Sequence, residues 1–504
     1  MEPKRSIIDY LADNARQNAR GIAVHYKDTK VTFGELEERS ARARGALAAL
    51  GIKHGDRVAL VMSDCPEMMI TMLAVMGLGA IVVPCSTMLK PAEIQYMLED
   101  SGAKLVIVTP EHLENAKAAK ASRIVVAPDE FNALVDKAQP APLGTFDRDT
   151  PGLILYTSGS TGSPKGAVHL HDHLPETIER VARKVYELTP EDRLFSSSRL
   201  FFAYGLGNSF SYSIGTGASV VLCSERPTPP VIASVFEKYK PTIFFAVPAV
   251  FRALVEHARA GNKLETGSLK FCVSAGEVLP VATWNDWKDV SGVEILETIG
   301  TTELLHAFIH NFRGRNKPGS SGVPLEGYEV RLMDEHGSVV QGAGRGRLQV
   351  KGRSAIPYYL NKPEKTKELI QDGWVTTGDI YRRDEEGFYW FEGRSDDLFK
   401  CSGMWVSPGE VEEAVITHPA VLEAAVIAEA DDKGATIAAA YVALRPGNQA
   451  GDALANDIKE HAAKNLPRFK RPQRVHFLDA LPRTATGKVQ RFKLRQMSNS
   501  GQRP

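Results

Sequence analysis

The sequence predicts an α/β protein with a large N-terminal domain of doubly wound α/β units, a small β subdomain and a small α+β C-terminal domain. Short apolar runs rich in β-branched residues alternate with helical segments through residues 58–273, which is typical of parallel sheets covered by helices. After residue 344, glycine and proline punctuate short strand-like runs. A chain of 504 residues also exceeds what one hydrophobic core can organise.

The N-terminal elements are predicted from capping and periodicity. An amphipathic helix is expected over residues 6–18. Thr32 is expected to cap a second helix, because Glu35 stands three residues later and completes a capping box. Buried strands are predicted at 58–62, 81–83 and 105–108, and a second α/β series has strands at 219–222, 242–246 and 270–273.

The uncharged segment 68–89 is long enough to span a bilayer. It contains two glycines and Pro84, and its composition changes from Met/Leu/Ala-rich to β-branched. These features favour a buried helix, a turn and a buried strand. We therefore expect no membrane partner.

The C-terminal part is expected to form a separate domain. A charged turn at 393–397 precedes an amphipathic run at 410–415 and strand-like runs at 423–428 and 436–444. This pattern indicates a compact α+β domain of about a hundred residues. We place the boundary so that the domains are residues 1–394 and 395–504.

Charge and cysteine content exclude several classes of protein. Lys+Arg and Asp+Glu both number 61, so nothing favours nucleic acid or an anionic membrane as a partner. The five cysteines are scattered and form no CxxC pair, which argues against a disulfide framework or a zinc site. With no signal peptide recognisable at the N-terminus, we expect a reducing, cytoplasmic location.

The most informative stretch is the glycine-rich segment 156–166, which follows the apolar run 153–155. Its glycines allow close backbone approach, its backbone amides and hydroxyls can donate to an anion, and Lys165 adds a positive charge. It does not fit the P-loop spacing, because Pro164 precedes the lysine. From its composition alone, the segment could also be a solvated linker.

In α/β sheets ligands bind at the carboxyl ends of strands. The other loops expected at these ends are 248–249, 274–277 and 299–303.

The whole glycine-rich string resembles the phosphate loop of the adenylate-forming superfamily, which contains acyl- and aryl-CoA synthetases, peptide-synthetase adenylation domains and luciferases. Further motifs of that superfamily follow in order at 297–303, 377–379, 393–397, 400–408 and 482–488, so the resemblance covers nearly the whole chain. It implies a set of ATP phosphate-binding residues: Thr157, Ser158, Ser160, Thr161 and Lys165.

The same resemblance implies the other nucleotide contacts. Thr302 would face the phosphates and Glu303 would bind Mg²⁺, which prefers one or two carboxylates plus phosphate oxygens. From the residues alone, Glu303 could equally be an acid at a helix N-terminus, and Asp379 could belong to a hairpin turn. The implied adenine- and ribose-binding residues are Ala275, Gly276, Glu277, Glu297, Thr298, Ile299, Asp379 and Arg394.

The C-terminal motifs imply a catalytic lysine and a thioester-forming surface. Lys488 would bridge the acid and the α-phosphate in the first half-reaction. The small domain would then rotate about a hinge at Asp396, and Lys400, Gly403 and Trp405 would line a tunnel for the pantetheine arm of CoA. Taken alone, the segment 400–408 could be a β-hairpin turn.

The segments 200–208 and 304–307 look like those of benzoate-CoA ligases. Many superfamily members carry histidine where this chain has Ala203. The benzoate pattern has a bulkier residue at the position of Ala307, so the smaller alanine leaves room for a hydroxyl or amino substituent on the ring. Ordinary core packing is the alternative for Phe201 and Phe202. The implied acid pocket comprises Ala203, Tyr204, Gly205, Ile299, Gly300, His306 and Ala307.

The resemblance as a whole implies an aryl-acid ligase that uses ATP, CoA and Mg²⁺ and acts on an aromatic carboxylic acid as a monomer or homodimer. Three alternatives remain open: a stand-alone adenylation enzyme that loads a carrier protein, a luciferase-like oxygenase, and a nucleotide-binding regulator without catalytic activity.

Overall fold

A computed structural model describes residues 6–147, 149–157, 164–395, 397–401, 403–432, 434–483 and 489–499. Contacts within the chain divide it into two compact units. The first comprises residues 1–329 and 350–375, and the second comprises 330–349 and 376–504. Residues 376–394 thus group with the second unit, whereas the boundary after 394 stays a prediction.

The first part of the chain builds a six-stranded sheet of order β6-β5-β3-β4-β7-β8. Strands β3 to β7 are parallel neighbours, and β8 returns antiparallel to β7. Its strands are β3 (Arg57–Val61), β4 (Ile81–Pro84), β5 (Leu105–Val108), β6 (Ile124–Val126), β7 (Pro151–Thr157) and β8 (Lys165–Leu170). The two strands that precede them in the chain, β1 (Ile22–Tyr26) and β2 (Thr29–Thr32), belong to a second sheet. The helices are α1 (Ile7–Gln17), α2 (Phe33–Ala49), α3 (Pro66–Gly77), α4 (Pro91–Ser101), α5 (Leu113–Ala118) and α6 (Asp129–Lys137).

A second, nine-stranded sheet has the order β15-β14-β13-β12-β11-β9-β10-β1-β2 and is parallel from β13 to β1. Its further strands are β9 (Arg193–Ser196), β10 (Ser219–Leu222), β11 (Ile243–Ala246), β12 (Phe271–Ser274), β13 (Ile295–Gly300), β14 (Ala307–His310) and β15 (Val323–Pro324). The helices are α7 (His173–Thr177), α8 (Ala203–Gly205), α9 (Tyr212–Thr216), α10 (Pro229–Tyr239), α11 (Pro248–Arg259) and α12 (Val281–Ser291), and π-helical turns at Ile178–Arg183 and Leu206–Ser211 extend α7 and α8.

The remaining strands form three smaller sheets: β16-β17-β19-β18 with β20 beside β19, the pair β21-β22, and β23-β24-β25. The strands are β16 (Glu329–Met333), β17 (Gly344–Lys351), β18 (Ile370–Gln371), β19 (Trp374–Arg383), β20 (Tyr389–Arg394), β21 (Phe399–Cys401), β22 (Met404–Val406), β23 (Val421–Ala430), β24 (Thr436–Leu444) and β25 (Arg474–Phe477). The helices are α13 (Pro363–Leu369), α14 (Pro408–Ile416), α15 (Asp452–Ala463) and α16 (Arg491–Asn499).

The structure confirms the predicted fold class and several local predictions. Thr32 and Glu35 form the capping box that starts α2. The uncharged segment 68–89 folds as the buried part of α3, a turn and β4. No helix among the described residues is long and apolar enough to cross a membrane.

All three loops predicted at the carboxyl ends of strands contain residues of regular elements. Ser274, predicted as the start of a loop, is the last residue of β12. Pro248 and Ala249 do not form a loop, because α11 begins at Pro248, a position where proline is favoured. Ile299 and Gly300 belong to β13, because they pair with Ile309 and Ala307 of β14. This antiparallel edge was not predicted, because only continuous buried apolar runs, typical of parallel strands, indicate strands in this part of the sequence.

The Thr32 cap provides a test of the first unit. Thr32→Ala removes the hydroxyl that accepts from the Glu35 amide and should lower the free energy of unfolding by about 1 kcal/mol, measured by urea denaturation. Thr228→Ala is the matched control, because Thr228 occupies the N-cap of α10 without a side-chain capping bond. Equal losses in the two variants would contradict the capping role.

Candidate functional site

The parallel strands of the nine-stranded sheet bring several predicted site residues to one edge. Ser274 at the end of β12 pairs with Ala246 of β11 on one side and with Glu297 of β13 on the other. Residues 275–277 follow β12 directly, and Gly276 has a φ of 91°, a conformation that favours glycine. This is the edge at which open α/β sheets bind ligands.

Buried polar atoms without partners mark this edge. The Oε2 of Glu297, the Oγ of Ser274 and the Oγ1 of Thr301 are buried and accept or donate no hydrogen bond among the described residues. Burial raises the pKa of the Glu297 carboxyl well above its usual value. The hydroxyl of Thr298, by contrast, donates to the carbonyl of Ile309 at 2.6 Å. Because unpaired buried polar groups are costly, a ligand with hydrogen-bonding atoms would be stabilised here.

The predicted metal ligand Glu303 lies in a single 3₁₀ turn, Thr302–Leu304, not at the N-terminus of a long helix. The Ile356 amide donates to the Glu303 carbonyl at 2.9 Å, and the Ser354 hydroxyl donates to the Leu304 carbonyl at 2.8 Å. Leu305 follows with a φ of 65°. For a non-glycine residue this conformation is strained, so the turn is held by its surroundings.

A pair of buried histidines fixes the same turn from the other large sheet. The Nε2 of His169 in β8 donates to the carbonyl of Thr302 at 2.8 Å, and its Nδ1 is 3.0 Å from the Nδ1 of His173. Burial lowers the pKa of His169 to about 4. His169 is therefore neutral near pH 7, and its Nδ1 accepts the hydrogen bond from His173.

Lys165 is not the loop residue that the sequence predicted, because it is the first residue of β8 and pairs with Thr157. Its ammonium lies 4.7 Å from the ring centroid of Tyr359, and the Tyr359 hydroxyl donates to Oε1 of Glu303. Strands β7 and β8 thus bring both ends of the glycine-rich loop together beside Glu303. The predicted phosphate-binding residues Ser158, Ser160 and Thr161 lie outside the described residues.

The predicted acid pocket is assembled in part. The rings of Tyr204 and His306 lie 5.8 Å apart and are inclined by 30°. The Tyr204 hydroxyl donates to the carbonyl of Val273 at 3.0 Å. Gly300 pairs with Ala307, and a Cβ at Gly300 would lie 2.5 Å from the carbonyl oxygen of His306. Glycine is therefore required where β13 approaches His306.

Ala203 and Gly205 belong to the short helix α8 that also carries Tyr204. Phe201 is buried and Phe202 is half-buried, and their rings contact edge to face. The burial of Phe201 agrees with the alternative of ordinary core packing. Ile299 is half-buried at the end of β13.

The imidazole of His306 is buried and fixed on two sides. Its Nδ1 is hydrogen-bonded to the Tyr212 hydroxyl at 2.8 Å. Its ring edge fills the space beside Gly207, where a Cβ would lie 2.2 Å from its Cδ2. Burial lowers the pKa of His306 to about 3. The predicted acid pocket therefore contains a neutral imidazole beside Tyr204 at neutral pH.

In the second unit, the two predicted ribose contacts stand opposite each other on β19 and β20. The Nη1 of Arg394 lies 2.9 Å from Oδ1 of Asp379 and also donates to the carbonyl of Thr377. Gly378 has a φ of 77°, and a Cβ there would lie 2.9 Å from Nη2 of Arg394. The hairpin-turn alternative for Asp379 is wrong, because this residue lies inside β19.

The segment 400–408 contains a β-hairpin of β21 and β22, in which Lys400 pairs with Trp405. The Lys400 ammonium lies 4.7 Å from the ring centroid of Trp405, and Gly403 takes a φ of 80° in the turn. The hairpin alternative is therefore correct for the backbone. Asp396 and Lys488 lie outside the described residues, and the roles predicted for this segment stay predictions.

The donors present fit Mg²⁺ better than a transition metal. Among the described residues no group of three His, Cys, Asp or Glu side chains could hold a metal ion. Glu303 offers one half-buried carboxylate, and only its Oε1 accepts a hydrogen bond from the described residues. Mg²⁺ is commonly held by one or two carboxylates together with substrate phosphates.

Sequence reasoning missed His169, Tyr212 and Tyr359. His169 and Tyr212 are buried by elements far along the chain from the motifs they contact. The separation in residue number is 133 for His169 and Thr302 and 94 for Tyr212 and His306. Tyr359 stands beside Tyr358, and no spacing rule separates the buried tyrosine from its exposed neighbour. Only long-range packing reveals these three contacts.

The chain matches the family described as AMP-binding enzyme over residues 11–360 and the AMP-binding enzyme C-terminal domain over residues 410–488. Benzoate--CoA ligase of Thauera aromatica is 39% identical over 503 residues, 97% of this chain and 95% of that protein. The 4-hydroxybenzoate--CoA/benzoate--CoA ligase of Rhodopseudomonas palustris is 34% identical, over 98% of this chain and 94% of that protein. The crystal structure of the anthranilate CoA ligase AuaEII in complex with anthranoyl-AMP matches with a TM-score of 0.95 at 35% identity, and it covers 100% of this chain and 99% of that chain.

The buried histidines predict acid sensitivity. Burial lowers the pKa of His25, His169, His171 and His310 to about 4 and that of His306 to about 3. Unfolding releases them to values near 6.5, so the unfolded chain binds more protons between about pH 6.5 and 4. The free energy of unfolding should fall as the pH falls through this window. Asp64, whose pKa burial raises to about 6, offsets part of the loss.

His171→Phe tests this prediction without touching the site. The His171 ring stacks on Phe146, and neither ring nitrogen has a partner among the described residues, so phenylalanine should be accommodated. Urea denaturation at pH 7 and pH 5 should show a smaller loss of stability in the variant, by at most about 1.4 kcal/mol per pH unit. His336→Gln, at an exposed position, should keep the wild-type loss. An unchanged pH dependence in His171→Phe would contradict the assignment.

Proposed function

Because the chain belongs to the AMP-binding enzyme family, we propose that it is an AMP-forming aryl-acid–CoA ligase acting on benzoate or a substituted benzoate. The observation that carries this proposal is the arrangement around the Thr302–Leu304 turn. Glu303 lies in the turn, and Tyr359 contacts both Glu303 and Lys165. His306, three residues after Glu303, belongs to the proposed acid pocket. The proposed acid pocket would thus lie next to the proposed phosphate site.

The reaction has two steps. In the first, a carboxylate oxygen of the acid attacks the α-phosphorus of ATP, the bond from that phosphorus to the bridging oxygen breaks, and pyrophosphate leaves. In the second, the thiolate of CoA attacks the acyl carbon and AMP leaves. Splitting the reaction through a mixed anhydride replaces one difficult step with two easier ones.

We assign the phosphates of ATP to the hairpin of β7 and β8. Lys165 and the hydroxyls of Thr157, Ser158, Ser160 and Thr161 would hold the β- and γ-phosphates that leave as pyrophosphate, while Thr302 would contact the α-phosphate. Glu303 would bind Mg²⁺, which when bound supplies positive charge to the phosphate oxygens. Lys488 would stabilise the charge that develops as the acid attacks.

Each unit carries one of the two sets of residues to which we assign contacts with the nucleoside. We assign Glu297 to the adenine region, where its carboxyl, kept protonated by burial that raises its pKa, could donate a hydrogen bond to a ring nitrogen. Residues 275–277, Thr298 and Ile299 complete the adenine region. Asp379 would bind the ribose hydroxyls, since Arg394 orients one of its oxygens.

The ring slot favours an aromatic acid without a second charge. Tyr204 and the neutral His306 present ring surfaces to the slot, and a charged substituent would find no counter-ion in either side chain. We assign the space for a substituent such as a hydroxyl or an amino group to the small side chains of Ala203 and Ala307. Gly205 and Gly300 instead allow close backbone packing, because a Cβ at either position would meet a carbonyl oxygen within 2.5 Å.

For the second step we propose that the C-terminal domain rotates about Asp396 and presents Lys400, Gly403 and Trp405 to CoA. Free CoA is then the acceptor, and a carrier protein is the alternative. We place the reaction in the cytoplasm, a location supported by five unpaired cysteines, of which four are buried. The protein is expected to act as a monomer or homodimer.

Substrate specificity is tested by pyrophosphate release. Benzoate, the three hydroxybenzoates and 2-aminobenzoate should support release with ATP and Mg²⁺, because each would present a planar ring to the ring surfaces of Tyr204 and His306. Cinnamate and medium-chain fatty acids serve as controls and should be poorer substrates by kcat/KM. A strong preference for fatty acids would contradict the pocket assignment, and no release with any acid would favour the regulator.

The role of Lys488 is tested by separating the half-reactions. Lys488→Ala should slow pyrophosphate release by about a hundredfold or more, a loss typical of a removed transition-state cation or donor. Conversion of supplied aroyl-AMP to aroyl-CoA should change far less. Lys493→Ala, an exposed lysine on α16, is the control and should leave both steps intact. Equal losses in both steps would contradict the two-conformation assignment, and discharge by a carrier protein alone would exclude free CoA.

A further inference from the structure

Tyr359 contacts the two oppositely charged side chains of the candidate phosphate site at once. Its ring lies under the ammonium of Lys165, with 4.7 Å between Nζ and the ring centroid. Its hydroxyl donates to Oε1 of Glu303. The tyrosine therefore stands between a cation and an anion that would otherwise attract each other.

The backbone around Tyr359 is fixed on both sides. Tyr359 forms a β-bridge with Ala167 of β8, and the Leu360 amide donates to the carbonyl of Gly166 at 2.8 Å. Three residues earlier, the Ile356 amide donates to the carbonyl of Glu303. Tyr359 and Ile356 are buried and pack with Ala167 in one apolar cluster. The ring is thus carried by a segment bonded to both β8 and the Glu303 turn.

Within the described part of the chain, no oppositely charged group pairs with the charge on either side of the ring. Among the described residues neither Lys165 nor Glu303 forms an ion pair. A direct pair between them would compete with ATP for the ammonium and with Mg²⁺ for the carboxylate. A cation–π contact of about 0.5–2 kcal/mol holds the ammonium more weakly than a phosphate would, so it orients the lysine without blocking it.

We propose that Tyr359 is a positioning residue that keeps Lys165 and Glu303 apart and oriented before ATP binds, so that the ammonium remains available to the phosphates and the carboxylate to Mg²⁺. The inference rests on the proposed function for the roles of these two side chains. It assigns separate tasks to the two parts of the tyrosine. The ring serves the lysine, and the hydroxyl serves the glutamate.

Two variants separate these tasks. Tyr359→Phe keeps the ring and loses the hydroxyl, whereas Tyr359→Leu loses both. Binding of ATP is measured by isothermal titration calorimetry in excess EDTA and at several Mg²⁺ concentrations, without acid or CoA. Tyr358→Leu is the matched control, because the Tyr358 side chain is 41% exposed and its backbone carbonyl makes the contact with β8.

Tyr359→Phe should bind metal-free ATP with nearly wild-type affinity and need a several-fold higher Mg²⁺ concentration for half-maximal enhancement of ATP binding. Tyr359→Leu should weaken metal-free ATP binding by about tenfold, within the range of a lost cation–π contact and a competing ion pair. This loss should shrink when Lys165→Met is already present. Tyr358→Leu should bind ATP within about twofold of wild type, a change of less than about 0.5 kcal/mol.

Three results would overturn the inference. Equal weakening of metal-free binding in Tyr359→Phe and Tyr359→Leu would indicate a general structural role, and equal binding in Tyr359→Leu and Tyr358→Leu would remove any special role. If the losses of ATP affinity caused by Tyr359→Leu and Lys165→Met were additive, Tyr359 would not act through Lys165, and the inference would also be excluded. If Tyr359→Leu fails to fold, Tyr359→Phe decides by its Mg²⁺ dependence alone. Wild-type protein that binds no ATP would instead refute the proposed function, together with this inference.

Discussion

The hydrogen bonds that join β8 to the Thr302–Leu304 turn are the constraint on which the candidate site depends. His169 donates to the carbonyl of Thr302, and the segment containing Tyr359 is bonded to both β8 and Glu303. Strand β8 belongs to the six-stranded sheet, whereas the turn follows β13 of the nine-stranded sheet. These contacts therefore unite, in one unit, the hairpin proposed to bind phosphates and the turn proposed to bind Mg²⁺ and the acid.

Burial separates the charged part of this site from the neutral part. His169 and His306 lose their positive charge because desolvation lowers both pKa values, and Glu297 tends to lose its negative charge for the same reason. Lys165 and Glu303 are instead half-buried and make no ion pair among the described residues. The charged side chains Lys165 and Glu303 thus lie where ATP and Mg²⁺ are proposed to bind. The neutral His306 lies where the ring of the acid is proposed to bind.

Several site features could be read from local sequence because their causes are local. Glycines at 276, 378 and 403 all take positive φ, which side chains disfavour, and each lies in a segment that the sequence analysis had selected. The assignment of Asp379 and Arg394 as a pair also agrees with their positions opposite each other on β19 and β20. The strand position of Ile299 and Gly300 cannot be predicted from local sequence, because it depends on their pairing with β14. That pairing requires the turn at 301–306, and the sequence of this turn does not indicate a strand on either side.

The sequence by itself determined the α/β class, the capped helices and the order of the motifs, because periodicity, capping and glycine conformation act over a few residues. The tertiary structure alone decided which side chains meet. Lys165 lies in a strand with its ammonium over the Tyr359 ring, and the buried His306 is hydrogen-bonded to Tyr212. His169 is hydrogen-bonded to Thr302, which is 133 positions further along the chain. Burial and long-range packing set these contacts, and neither can be read from the spacing of residues along the chain.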